Sequence, residues 1–129
     1  MSQLRRFSDA PIKASSIIGT NVVSPKGENL GDVKEVVIDP RTGKVAYAVV
    51  SFGGFLSLGE KLFAIPFSAL KYNVNVTNSD LIQNEYVLNI SRERLEKAPG
   101  FDADRWPLMS DEKWHRELHD FYDRSPYWE

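Results

Sequence analysis

As far as Ile90 the chain is a series of short apolar runs separated by glycine, proline or asparagine. Seven of the eight glycines fall between Gly19 and Gly59, a density of turns that predicts strands rather than helices. The first strand is expected at residues 17–24 and ends at Pro25-Lys26-Gly27. The second, at 31–39, has Val33, Val36, Val37 and Ile38 as its apolar set, and Pro40-Arg41-Thr42-Gly43 then makes a tight hairpin. In the third strand, 44–52, Val45, Tyr47 and Val49 share one face, and Ala46, Ala48, Val50 and Phe52 share the other. Both faces are apolar, so both should be covered. One can fill an interior. Something else must shield the outside.

Gly53-Gly54 turns the chain, and residues 55–58 form a short apolar stretch that includes Phe55 and Leu56. A further strand is predicted at 61–66 and one helical turn at 67–70. Tyr72, Val74 and Val76 alternate with polar residues, and Tyr86, Leu88 and Ile90 repeat that pattern after a turn at 78–80. About six short strands at this spacing predict a mainly β fold, a small closed β-barrel over residues 12–98. Residues 1–11, polar and aperiodic, are expected to form a flexible arm.

Residues 99–129 form a tail of different character. Ser91 can cap a short helix running to about Lys97, which Pro99-Gly100 breaks. A second helix is expected at about 111–123, with Ser110 as N-cap and Asp111 and Glu112 in its first turn. Trp114, Leu118, Phe121 and Tyr122 recur at i, i+4, i+7 and i+8, which gives one apolar face. All three tryptophans, Trp106, Trp114 and Trp128, lie in this tail. Burying a large aromatic contributes roughly 4–6 kcal/mol, as an upper bound. Ordering each residue's backbone costs about 1–2 kcal/mol. The tail therefore needs a surface to bury against, either its own barrel or a second subunit.

Composition narrows the chemistry. The formal charge of −2, with 16 basic against 18 acidic residues, argues against direct nucleic-acid binding. The absence of cysteine excludes thiolate catalysis, disulfides and cysteine-ligated metals, and fits a cytoplasmic location. No apolar run approaches the roughly 20 residues of a membrane span. A signal peptide is not evident either.

The one catalytic-looking arrangement is His115-Arg116-Glu117-Leu118-His119. Two histidines four apart share a helix face and could hold a metal, but a zinc protease needs glutamate where Arg116 stands. Glu117 points nearly opposite the pair, and Glu112 could at best add a ligand. Both histidines are accordingly expected to flank the apolar stripe and face solvent, with no metal or other cofactor. Asp32, Glu35, Asp39 and Glu60 are scattered over strand ends and turns. Ser51, Ser57 and Ser68 have no neighbouring histidine or nucleophile elbow. The chain is expected not to be an enzyme.

The segments 17–24, 31–39 and 42–50, followed by Gly53-Gly54, Gly59-Glu60-Lys61 and Phe63-Ala64-Ile65-Pro66-Phe67, resemble the PRC-barrel family over residues 12–90. That family is named for the cytoplasmic barrel of the photosynthetic reaction-centre H subunit, and a similar barrel occurs in a ribosome maturation factor. The tail, at Ala98-Pro99-Gly100-Phe101-Asp102, Trp106-Pro107 and Ser125-Pro126-Tyr127-Trp128-Glu129, is similar to that of stand-alone bacterial members. The chain lacks the membrane helix of the one relative and the additional N-terminal domain of the other, so their roles do not transfer. The resemblance implies a barrel that binds proteins and catalyses nothing.

The expectation is thus a protein-interaction or adaptor barrel that self-associates as a homodimer, through its tail, or binds an unidentified protein. Its candidate contact residues are Tyr47, Phe55, Leu56, Trp106, Trp114, Phe121, Tyr122 and Trp128. The alternatives are a ribosome-associated or RNA-processing accessory factor and a metal- or ligand-dependent protein using His115 and His119.

Overall fold

The computed structural model describes residues 11–52, 61–76 and 82–129. The arm before Pro11, the stretch with Phe55 and Leu56, and the turn at 78–80 lie outside the described residues. In chain order the elements are α1 (Ala14–Ile17), β1 (Asn21–Val23), β2 (Asn29–Asp39), β3 (Lys44–Ser51) and β4 (Lys61–Pro66). A 3-10 turn (Phe67–Ala69) leads to β5 (Leu70–Val76) and β6 (Ile82–Leu88), then α2 (Arg92–Glu96), β7 (Phe101–Asp102) and α3 (Glu112–Tyr122). The fold is mainly β with a C-terminal helix. The first strand is shorter than its apolar run predicts, because residues 14–17 coil into α1 and Gly19 turns the chain at φ 93°.

The strands form one seven-stranded sheet in the order β5-β6-β1-β2-β3-β4-β7. All neighbours are antiparallel except β1 and β6, which run parallel. The sheet is open, so the expected closed barrel is corrected. A closing ladder would need the free edges of β4 and β5 to pair. The outer edge of β4 is instead taken by β7 at Lys61↔Asp102 and Leu62↔Phe101. Pro66 then ends β4 with no N–H to offer, and the chain passes straight into the 3-10 turn.

The β2–β3 hairpin forms as its turn residues predict. Asp39 accepts from Arg41 N at 3.0 Å and from Thr42 Oγ1 at 3.1 Å, while Gly43 takes φ 78°. β2 carries two register shifts, between Val33 and Glu35 and between Val37 and Ile38. They explain why its apolar set divides: Val33 and Val36 pack on one side, Val37 on the other, and Ile38 is left exposed. Gly31 sits at φ 135° where β2 crosses β3, and a Cβ there would lie 2.1 Å from the Ser51 carbonyl oxygen. Only glycine fits that crossing.

The main core collects one face of the sheet, including Val22, Leu30, Val33, Ala48, Val50, Phe63 and Ile65, and Leu95 of α2 packs into it. Ser91 caps α2 as predicted, accepting from Arg94 N at 3.1 Å. A second cluster lies on the opposite face of β3 and β4, where Ala46, Tyr47, Val49, Leu62 and Ala64 meet Leu118 of α3. The doubly apolar third strand is covered on both sides. Its outer cover is the chain's own tail. No helix among the described residues is long and apolar enough to cross a membrane.

Candidate functional site

α3 is placed by its ends. Asp111, not the expected Ser110, is the N-cap, and its carboxylate accepts from Lys113 N at 3.1 Å and Trp114 N at 3.4 Å. That also sets a negative charge against the positive end of the helix. At the other end Asp123 adopts the left-handed conformation, and Arg124 N donates to the His119 carbonyl at 2.9 Å. Glu112–Arg116 and Lys113–Glu117 pairs keep the outer face charged. The inner face carries Trp114, His115, Leu118, His119 and Tyr122 onto the sheet.

Both histidines are buried, His115 at 6% and His119 at 1% exposure, which corrects the expectation that they face solvent. Hydrogen bonding is the reason. His115 Nε2 lies 2.6 Å from the Met109 carbonyl, which can only accept, so Nε2 carries the proton. Nδ1 is then the lone pair that takes the hydroxyl of Tyr47 at 2.5 Å. Both nitrogens of the His115 ring are thus hydrogen-bonded. His119 Nδ1 donates to the His115 carbonyl at 2.7 Å, and its buried Nε2 has no hydrogen-bond partner.

Aromatic rings close over this chain of bonds. Tyr47 is wholly buried, stacked on His115 at 5.5 Å between ring centres and met edge-on by Trp114 at 5.7 Å and Tyr127 at 5.6 Å. Trp128 meets the edges of both histidine rings. Burial, reinforced by the nearby Tyr127, holds the Tyr47 phenol well above its ordinary pKa. Tyr127 is raised by burial and by Asp39. Tyr47 therefore remains a proton donor to His115 at neutral pH. Sealed in this way, the Tyr47–His115 pair acts as a clamp between sheet and tail.

In this structure both His115 nitrogens are taken up by hydrogen bonds, while His119 Nε2 is not. Among the described residues, no group of three or more histidine or acidic side chains is placed to hold a metal ion.

The remaining candidates separate by exposure. Tyr47 is wholly buried and Trp114 half-buried beneath the seal. Phe121 is half-buried beneath the Arg94 guanidinium, and the hydroxyl of Tyr122 is buried and unpartnered. Phe55 and Leu56 lie outside the described residues. Trp106 stays 42% exposed with its ring against Phe101, and Trp128 stays 39% exposed under the Arg116 guanidinium. Leu108 and Met109, 72% and 40% exposed, join them, although neither is among the contact residues expected from sequence. Their signal is the short uncharged run 106–110 between two acidic stretches.

A family model for the PRC-barrel domain matches residues 11–95. The match ends within α2, before β7 and α3. The chain is also similar to an uncharacterized protein of Deinococcus radiodurans, 25% identical over 113 residues. That alignment covers 83% of this chain, more than its first 95 residues could supply, so the likeness continues into the tail. It covers 40% of the relative, so this chain spans about two-fifths of that protein's length.

Proposed function

The chain belongs to the PRC-barrel domain family, and from that membership we propose a non-enzymatic adaptor that docks a protein partner. One observation carries the reading. With both faces of β3 and β4 covered by the chain itself, Trp106, Leu108, Met109 and Trp128 remain exposed on the tail. Large apolar side chains displayed on an ordered backbone are the usual anchors of protein interfaces. Here that backbone is held: the Trp106 ring rests on Phe101, and the Met109 carbonyl takes the His115 proton.

A contact between copies of the chain would use the same strip, because the outer face of β3 and β4 is already occupied. A cytoplasmic working place is part of the proposal and is supported by the lack of cysteine.

The test is crosslinked capture from the native cell with the wild-type chain and a folded Trp106→Ser, Leu108→Ser variant. A specific protein retained by the first and lost by the second is expected. Identical captured sets would remove the strip from the interface.

A further inference from the structure

The exposed strip of the tail has an acidic border. His115 joins its two ends, since its ring meets both the Met109 carbonyl and the Trp128 ring. On the Trp106 side stand Asp102 and Asp104, both exposed and without an ion pair among the described residues. The cations beside them are Arg105 and Lys61, which lies opposite Asp102 in the β4–β7 ladder. On the Trp128 side the Arg116 guanidinium lies over the ring, 5.5 Å from its centre. That cation is already answered. Glu112 accepts from its Nε at 2.7 Å and, with Glu129 and Asp120, raises its pKa above the ordinary value.

Asp111, the cap of α3, stands between the two sides, and the Lys113–Glu117 pair on the outer face cancels itself. Six carboxylates therefore border the four apolar side chains and meet three cations. That excess of three is larger than the formal −2 of the whole chain. The negative charge of the molecule is concentrated where its large apolar side chains are displayed.

This pattern selects among occupants. Two copies meeting strip to strip about a twofold axis would set each acidic border against its counterpart, and like charges across an interface are unfavourable. Phosphate backbones and anionic lipid headgroups are repelled for the same reason. Resting on the adaptor reading of the strip, we propose that its partner presents a basic amphipathic protein segment. Apolar side chains of that segment lie on Trp106, Leu108, Met109 and Trp128, and flanking lysine or arginine meets Asp102 and Asp104 on one side and the carboxylates around Arg116 on the other.

The experiment is an NMR titration of the full chain with three tryptophan-free synthetic peptides. One carries leucine and lysine in helical amphipathic order, the second has glutamate in place of lysine, and the third has serine in place of leucine. Saturable shifts at Trp106, Leu108, Met109 and Trp128 are expected from the first alone. Its Kd should rise roughly tenfold between about 0.05 and 0.5 M salt. Asp102→Asn combined with Asp104→Asn should weaken that peptide about threefold or more and leave the thermal midpoint near wild type. Equal binding of either control peptide, wild-type affinity in the double variant, or no shift from any peptide would overturn the proposal. Shifts at the same four residues that grow with protein concentration alone would make a second copy the occupant and overturn it too. The adaptor reading fails on a different result, the identical captured sets of wild type and serine variant.

Discussion

The Tyr47 hydroxyl proton goes to a histidine 68 residues away in the chain, and much of the tail's attachment rests on that bond. Tyr47→Phe removes the donor and leaves His115 Nδ1 buried and unpaired, so a loss of about 1–3 kcal/mol is expected in urea unfolding. The two histidines should respond differently to apolar replacement. His115→Leu orphans the Tyr47 hydroxyl and should cost about as much as Tyr47→Phe. His119→Leu gives up one bond to its own helix but also removes the unpartnered Nε2, and should be close to neutral. Equal losses at both positions would contradict this assignment of roles. Neither burial was legible in the sequence, because a histidine on an apolar helix face shows nothing of a partner on a distant strand.

The buried tyrosines also set the behaviour at alkaline pH. Tyr47 and Tyr122 are raised by burial above the value of about 10 expected in the unfolded chain. Below that pH both states are protonated and the stability is fully present. Above it the unfolded chain loses protons first, so stability falls as pH rises. Tyrosinate absorbance from these two side chains should appear together with loss of near-UV circular dichroism. Ionisation of all five tyrosines in a still-folded protein would contradict that expectation.

At the scale of elements, α3 and β2 carry the most specific expectations. Asp111→Ala should destabilise the protein by about 1 kcal/mol, the usual cost of a lost N-cap, while Ser110→Ala should do little. Gly31→Ala forces a side chain into a positive φ and against the Ser51 carbonyl, and should cost more than about 2 kcal/mol. Chemical denaturation of these variants checks all three.

Elements are legible where local pattern decides them. The two apolar faces of β3, the Asp39–Lys44 hairpin and the extent of α3 all come from spacing. The cap falls one residue later than expected, since Ser110 and Asp111 are both good caps and only geometry chooses between them. The parallel pairing of β1 with β6 and the edge contact of β7 on β4 join residues far apart in sequence. Turn density gives strands but not their order, and without that order an open sheet and a closed barrel look alike in the sequence.

At the scale of the whole molecule, the tail is the outer half of the fold. Without residues 99–129, Tyr47, Val49, Leu62 and Ala64 would face water on β3 and β4, and the remaining chain is expected to aggregate or unfold. The family match stops at residue 95, yet the structure packs residues from both sides of that boundary into one hydrophobic cluster. All three tryptophans lie in the tail, so their fluorescence reports its docking, while circular dichroism of the backbone is dominated by the sheet.

Equilibrium urea unfolding monitored by both signals, at two protein concentrations, is therefore the most direct measurement. A tail that seals its own sheet predicts superimposable transitions that do not move with concentration. A fluorescence transition that precedes the loss of the sheet, or midpoints that rise with concentration, would show that the cover is loose or comes from a second copy.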